Sequence, residues 1–129
     1  MYTITLMDRN DSGMLSIGLL DLLEAVKPAL GQVEWLVRNL EVLGEGANDF
    51  YDIELRGARL RTSELEELAA RLDQVIDGEF SAYEERGGSP ILILRAVDSS
   101  SWDISTNKEP LLERARSRFK RIHEVGNVA

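Results

Sequence analysis

The sequence predicts an α+β fold: a mostly antiparallel sheet with about three helices packed on it, in one domain spanning residues 1–129. Three observations carry this expectation. Segments with apolar residues at helical spacing are mixed with short segments of alternating or β-branched residues. Three of the strand-like segments follow one another across short turns in the second half, as in an antiparallel meander. The length of 129 residues, with 43% hydrophobic and 29% charged residues, suits one globular domain that buries its own core.

The elements follow in order. Tyr2, Ile4 and Leu6 alternate with Thr3, Thr5 and Met7, which reads as a first strand. Asp8 to Gly13 is turn chemistry. Leu15, Leu19, Leu22, Leu23, Val26, Ala29 and Leu30 form one helical stripe, with Pro28 and Gly31 marking its end. Residues 32–43 fit either period. The strand reading rests on Val33, Trp35 and Val37 and on the flanking glycines Gly31, Gly44 and Gly46. Phe50 to Leu55 alternates Tyr51, Ile53 and Leu55 against Asp52 and Glu54, so a half-buried strand is expected there, joined to the preceding one through the Gly44–Asn48 turn.

Ser63 and Glu66 fit a capping box. Leu65, Leu68, Ala69, Leu72, Val75 and Ile76 then predict a second helix that Gly78 ends. This register puts Glu66, Asp73 and Asp77 together beside the apolar face. Strands are expected at Phe80–Glu85, at Ile91–Val97 (an apolar run suited to burial on both faces) and from Trp102. Asn107 and Pro110 open a last helix with Leu111, Leu112, Ala115, Phe119 and Ile122 on one stripe. Arg114, Arg118 and Arg121 flank one side of that stripe, and Arg116 and Lys120 the other. The tail from about residue 124 is expected to fray.

Composition excludes several function classes. There is no cysteine, so disulfides and thiolate metal sites are ruled out. That absence and the missing signal-peptide pattern at the N-terminus lean toward a cytoplasmic protein. No apolar run reaches the length of a membrane span. The formal charge is -8, from 23 acids and 15 bases. The charge is uneven: residues 64–85 hold eight acids and one base, whereas residues 108–129 hold six bases and three acids. An acidic chain is repelled by nucleic acid and anionic lipid and attracts basic partners.

No motif specifies a catalytic set. Asp8, Asn10, Ser12 and Gly13 stand where an EF-hand loop begins, but Leu19 occupies the position that needs a bidentate Glu, so a plain turn is expected. Asp98-Ser99-Ser100-Ser101 offers hydroxyls beside a carboxylate, yet a Ser–His–Asp triad would have to recruit His123, the only histidine; a turn between strands is the simpler reading. Gly44-Glu45-Gly46 lacks the third glycine of a dinucleotide fingerprint. No cofactor or metal is expected. The bases of the last helix are expected to snorkel around its core-facing stripe or to pair with the chain's own acids. Trp35 and Trp102 are expected in the core, with an interface anchor as the lesser reading.

Two segments, Leu72–Phe80 (LDQVIDGEF) and Ala96–Ile104 (AVDSSSWDI), resemble stretches of small acidic uncharacterised bacterial proteins, and chains of this size and acidity are similar to immunity proteins of bacterial toxin systems. The resemblance implies a binding protein that occludes a basic cognate toxin; it carries no functional motif across. The sequence itself then offers Glu66, Asp73, Asp77, Glu79, Glu84 and Glu85 as the partner-binding acids. One alternative is a small-molecule binder or enzyme with an anion-accepting pocket lined by Arg56, Arg59, Arg61 and the Asp98–Trp102 loop. Another is a structural or regulatory subunit that assembles through an exposed strand or Trp.

Overall fold

The computed structural model describes residues 1–128. It is α+β, a single seven-stranded antiparallel sheet with four helices. The elements are β1 (Tyr2–Leu6), α1 (Leu19–Leu30), β2 (Glu34–Leu43), α2 (Ala47–Arg56), β3 (Leu60–Arg61), α3 (Thr62–Ala69), β4 (Gln74–Tyr83), β5 (Leu92–Val97), β6 (Ser101–Thr106), α4 (Glu109–Arg118) and β7 (Ile122–Asn127). The strand order is β3-β2-β4-β5-β6-β1-β7. The meander expected in the second half is β4-β5-β6. The first strand lies between β6 and the C-terminal strand.

Alternation along the strands puts one side chain set against the helices. Ile4, Leu6, Trp35, Val37, Phe80, Leu92, Leu94, Trp102 and Ile104 are buried and join buried residues of all four helices in one cluster. Phe80 stands at its centre. Its ring lies 6.3 Å from Phe50 of α2, edge to face, and 6.1 Å from Trp102 of β6. Both tryptophans find acceptors for their indole N–H, Thr62 Oγ1 for Trp35 and the Ile17 carbonyl for Trp102, each at 2.9 Å. Such burial with a satisfied polar tip is what an indole needs in a core. With both rings buried, the reading of a Trp as interface anchor is overturned.

Four sequence expectations are corrected here. Residues 50–55 are helix, not strand. Only Phe50 and Ile53 of this segment are buried, one helical turn apart, while Leu55 is 88% exposed; the apparent alternation included a leucine that faces water. The helix expected through Gly78 stops at Ala69, and residues 74–83 form the long strand β4. Val75 and Ile76 suit both periods, and pairing with β2, where Val75 faces Val42, decides for strand; Leu72 lies between α3 and β4. The capping box is also two residues earlier: Glu64 Oε1 accepts the Arg61 N–H at 2.9 Å. Finally, the tail from 124 does not fray. It pairs antiparallel with β1 as far as Asn127.

Smaller differences have local causes. α1 begins at Leu19 because the Asp21 carboxylate takes the Gly18 N–H at 2.8 Å and closes the first turn there. Pro28 sits in the last turn and the helix continues to Leu30. α4 is capped at Lys108 rather than Asn107 and ends before Phe119, and Ile122 belongs to β7. β5 is the central strand of the sheet, but its outward residues Arg95 and Val97 are exposed, so it is buried on one face and not on both.

α2 also covers a sheet edge. β3 pairs with β2 only at Glu34 and Trp35, which leaves the second half of β2 without a strand neighbour on that side. Side chains of α2 fill the place: Tyr51 Oη accepts the Val42 N–H at 2.9 Å and donates to the Val42 carbonyl at 3.2 Å, and Glu54 Oε2 accepts the Leu40 N–H at 3.3 Å. An unpaired edge is otherwise a template for foreign strands. Gly44 permits the chain reversal into α2. Its φ is +129°, and a Cβ there would stand 2.5 Å from the Asp73 nitrogen.

Two substitutions test this packing. Phe50→Ala should cost about 3–5 kcal/mol in a denaturant titration, because it empties one side of the Phe80 ring. Tyr51→Phe should cost only about 1 kcal/mol but should accelerate amide hydrogen exchange at Val42, whose N–H then has no acceptor.

Candidate functional site

Among the described residues, none of the four helices covers the second face of the sheet, and the strand register arranges its side chains in rows. One row reads Arg38, Glu79, Arg95, Asp103, Thr5 and His123 across β2, β4, β5, β6, β1 and β7. Arg95 Nη2 donates to Glu79 Oε1 at 2.6 Å, and Thr5 Oγ1 to Asp103 Oδ1 at 2.7 Å. The charges alternate along this row. A neighbouring row is Leu36, Ser81, Ile93, Ser105 and Thr3, where Thr3 and Ser105 share a 2.7 Å hydrogen bond.

The row's balance breaks at one end of the sheet. Both β2 and β4 carry an irregularity there, and Glu41 stands directly opposite Asp77. Like charges in directly opposed positions repel. The backbone of a third acidic residue adjoins Asp77. Asp98 begins the β5–β6 turn, and its N–H donates to Asp77 Oδ1 at 2.9 Å. Asp98 and the following Ser99 have φ of 48° and 57°, the left-handed pair that a tight hairpin turn requires. Bonds to β4 hold that geometry: the Ser99 N–H donates to the Ile76 carbonyl at 2.9 Å, and Gln74 Nε2 to Ser99 Oγ at 2.8 Å. Among the described residues, Glu41, Asp77 and Asp98 make no ion pair. Beside them lies a shallow hollow of about 340 Å³ lined by Asn39, Asp77, Gly78, Glu79, Arg95 and Ala96.

The six acids singled out by sequence are not one cluster. Glu66, on α3, is held by Lys27 of α1 at 2.9 Å. Asp73 lies between α3 and β4, where it lines a different groove. Asp77 and Glu79 share the bare face, and Glu79 is engaged by Arg95. Glu84 and Glu85 follow β4, with Glu84 bridged to Lys108 at 3.2 Å. The helical face that was to unite Glu66, Asp73 and Asp77 does not exist, because the chain changes to strand between Glu66 and Asp77. Glu41 and Asp98 were not among the six. Their proximity to Asp77 arises from strand register, which no local periodicity reveals.

The composite pocket of the alternative reading is also divided. Arg56 and Arg59 line a groove of about 630 Å³ with Glu64, Glu67 and Arg71. Ser99 and Ser100 line another, of about 530 Å³, with Arg9, Met14–Gly18 and Asp73–Val75. Trp102 lines neither and is buried. Arg56 and Arg61 are already paired, with Asp52 and Glu64, and the Arg59 guanidinium lies over the Tyr83 ring at 5.0 Å. The loop that opens like an EF-hand is a turn instead. Asn10 Oδ1 accepts the N–H groups of Ser12 and Met14, and Asp8 accepts those of Lys120 and Arg121. Among the described residues, no three His, Asp or Glu side chains converge as a metal-binding group, and no helix is long and apolar enough to cross a membrane.

Of the bases expected on the last helix, Arg116 and Arg118 pair with acids of the chain, and Arg114, Lys120 and Arg121 make no ion pair among the described residues. Arg116 binds Glu109, Glu113 and Glu124 at 2.7–2.8 Å, and Arg114 donates to the Ala25 carbonyl at 3.0 Å. The hydrogen bond from Arg116 lowers the Glu124 carboxyl below its ordinary value of 4.5, against some desolvation. A carboxyl that is more acidic in the folded state adds stability above its unfolded pKa, and that stability is lost as pH falls through the folded value. Arg116→Met should therefore be less stable than the parent at neutral pH. The gap should narrow as the solution is acidified below about pH 4.5, read from urea midpoints at a series of pH values.

Comparison with protein-family models, with curated proteins and with solved structures finds no match for this chain.

Proposed function

We propose that this chain is a non-catalytic binding protein that receives a basic protein partner on the bare face of its sheet, with Glu41, Asp77 and Asp98 as the anchoring acids. The observation that carries this reading is the directly opposed Glu41 and Asp77, with the Asp98 backbone bonded to Asp77, none of the three in an ion pair among the described residues, at the end of a sheet face that no described helix covers. A cation from outside relieves the repulsion between them, and the net charge of -8 favours encounter with a basic surface. Beyond the charged row Arg38, Glu79 and Arg95, the row with Leu36, Ile93 and small hydroxyl side chains offers a partly apolar area on the same face.

A toxin neutralised by occlusion is the partner this reading names. Occlusion needs complementarity rather than chemistry, so a charged sheet face is sufficient equipment. The two segments that resemble bacterial proteins contribute one anchoring acid each, Asp77 from the first and Asp98 from the second, and the fold joins them by a hydrogen bond. A cytoplasmic place of action accords with a sequence without cysteine.

The test is capture by the immobilised protein from lysate of the source organism, at low and high salt, with identification by mass spectrometry. Three forms are compared: the parent chain, Glu41→Lys with Asp77→Lys, and Glu66→Lys with Glu84→Lys as a reversal elsewhere. A stoichiometric basic protein should be retained by the parent and by the second variant, be released at high salt, and bind the Glu41/Asp77 variant at least about tenfold more weakly. Equal binding to both variants, with circular dichroism unchanged, overturns the assignment of the face. The absence of any basic partner overturns the reading.

A further inference from the structure

Three of the bases that make no ion pair among the described residues, Arg9, Lys120 and Arg121, line one cleft. A cleft of about 550 Å³ lies between the β1–α1 loop and the α4–β7 connection, lined by Asp8, Arg9, Ser16, Ile17, Asp21 and residues 118–121. It gathers Arg9, Arg118, Lys120 and Arg121 in a chain with eight more acids than bases. Among the described residues, the side chains of Arg9, Lys120 and Arg121 make neither an ion pair nor a hydrogen bond. Arg118 reaches Asp21 only at 3.6 Å.

The two acids of the cleft are already engaged by backbone. Asp8 accepts the N–H groups of Lys120 and Arg121 at 3.1 and 2.7 Å, and Asp21 accepts that of Gly18 at 2.8 Å. Asp8 thus fixes the backbone from which Lys120 and Arg121 project and leaves their charged ends free. Four cations against two acids leave the cleft positive, and its volume falls in the range of small-molecule sites.

We propose that this cleft binds the phosphate group of a small molecule. A singly charged carboxylate would leave part of the positive charge unanswered, whereas a phosphate or diphosphate brings two or more charges on closely spaced oxygens, which guanidinium forks hold in pairs. The charge of the whole chain opposes a long polyanion, so a compact ligand is favoured over nucleic acid. The inference is independent of the sheet face and of any protein partner.

The experiment is a titration of the whole chain, followed by amide chemical shifts, with inorganic phosphate, pyrophosphate, a nucleoside monophosphate and a single-stranded oligonucleotide in separate arms. Pyrophosphate should give saturable shifts at residues 8–9, 16–18 and 118–121 at about millimolar concentration or below. Lys120→Ala and Arg121→Ala should each weaken it about tenfold. Both should remain folded, since Asp8 holds the backbone at these positions and not the side chains. Arg38→Ala, which removes an exposed cation from the sheet face, should change the affinity less than about twofold.

Tighter binding of the nucleoside monophosphate than of inorganic phosphate would mark a nucleotide as the ligand. Equal binding of the two would mark the phosphate group alone as what is read. The proposal is overturned by an absence of saturable shifts up to about 10 mM, by equal weakening in Arg38→Ala, or by an oligonucleotide that binds more tightly than every small phosphate.

Discussion

One constraint organises this molecule: a seven-stranded sheet must bury one face, and the chain has four helices with which to do it. All four lie on the same side. The aromatic contacts of Phe50, Phe80 and Trp102 join α2 to the two strands on either side of β5. Because the helices meet one side only, the side chains of the other side are left to interact along the strands. The alternating row Arg38, Glu79, Arg95 and Asp103 is the result. A sheet with helices on both faces would have needed apolar residues at these positions.

The edges follow from the same arrangement. β3 is two residues long and cannot complete the pairing of β2, so Tyr51 and Glu54 of α2 take its place. At the opposite edge, β7 leaves one side without a strand neighbour, and a register shift against β1 interrupts it near Gly126. A bulge of this kind twists an edge away from foreign strands. Charge is sorted in the same way. Most cations are held by nearby acids, Arg116 by three of them, and charges without an ion pair include carboxylates at the end of the bare face and cations in the cleft between the β1–α1 loop and the α4–β7 connection.

The parts legible in the sequence were those fixed by near neighbours. The first strand, the stripe of α1, the β4-β5-β6 meander, the start of α4 and the buried tryptophans could be read from spacing and turn chemistry. The turn readings of Asp8–Gly13 and Asp98–Ser101 also hold, since Asn10 and Ser100 act through bonds within a few residues. Residues 50–55 were misread because five or six residues supply too few repeats to separate the two periods, and Leu55 faces water.

The remaining decisions were tertiary. Val75 and Ile76 could continue a helix; they are strand because β2 pairs with this segment on one side and the Ser99 N–H bonds the Ile76 carbonyl. Ile122 to Asn127 is strand because β1 has a free edge for it. The acids show the difference most plainly. By itself the sequence determined the excess of negative charge, the absence of thiol chemistry and the amphipathic segments, since these depend on composition and local order. Only the tertiary structure decided which acids meet. Glu41, Asp77 and Asp98 are far apart in the chain, and cross-strand register and a single backbone hydrogen bond bring them together, whereas Glu66 and Asp77, expected side by side, lie on different elements.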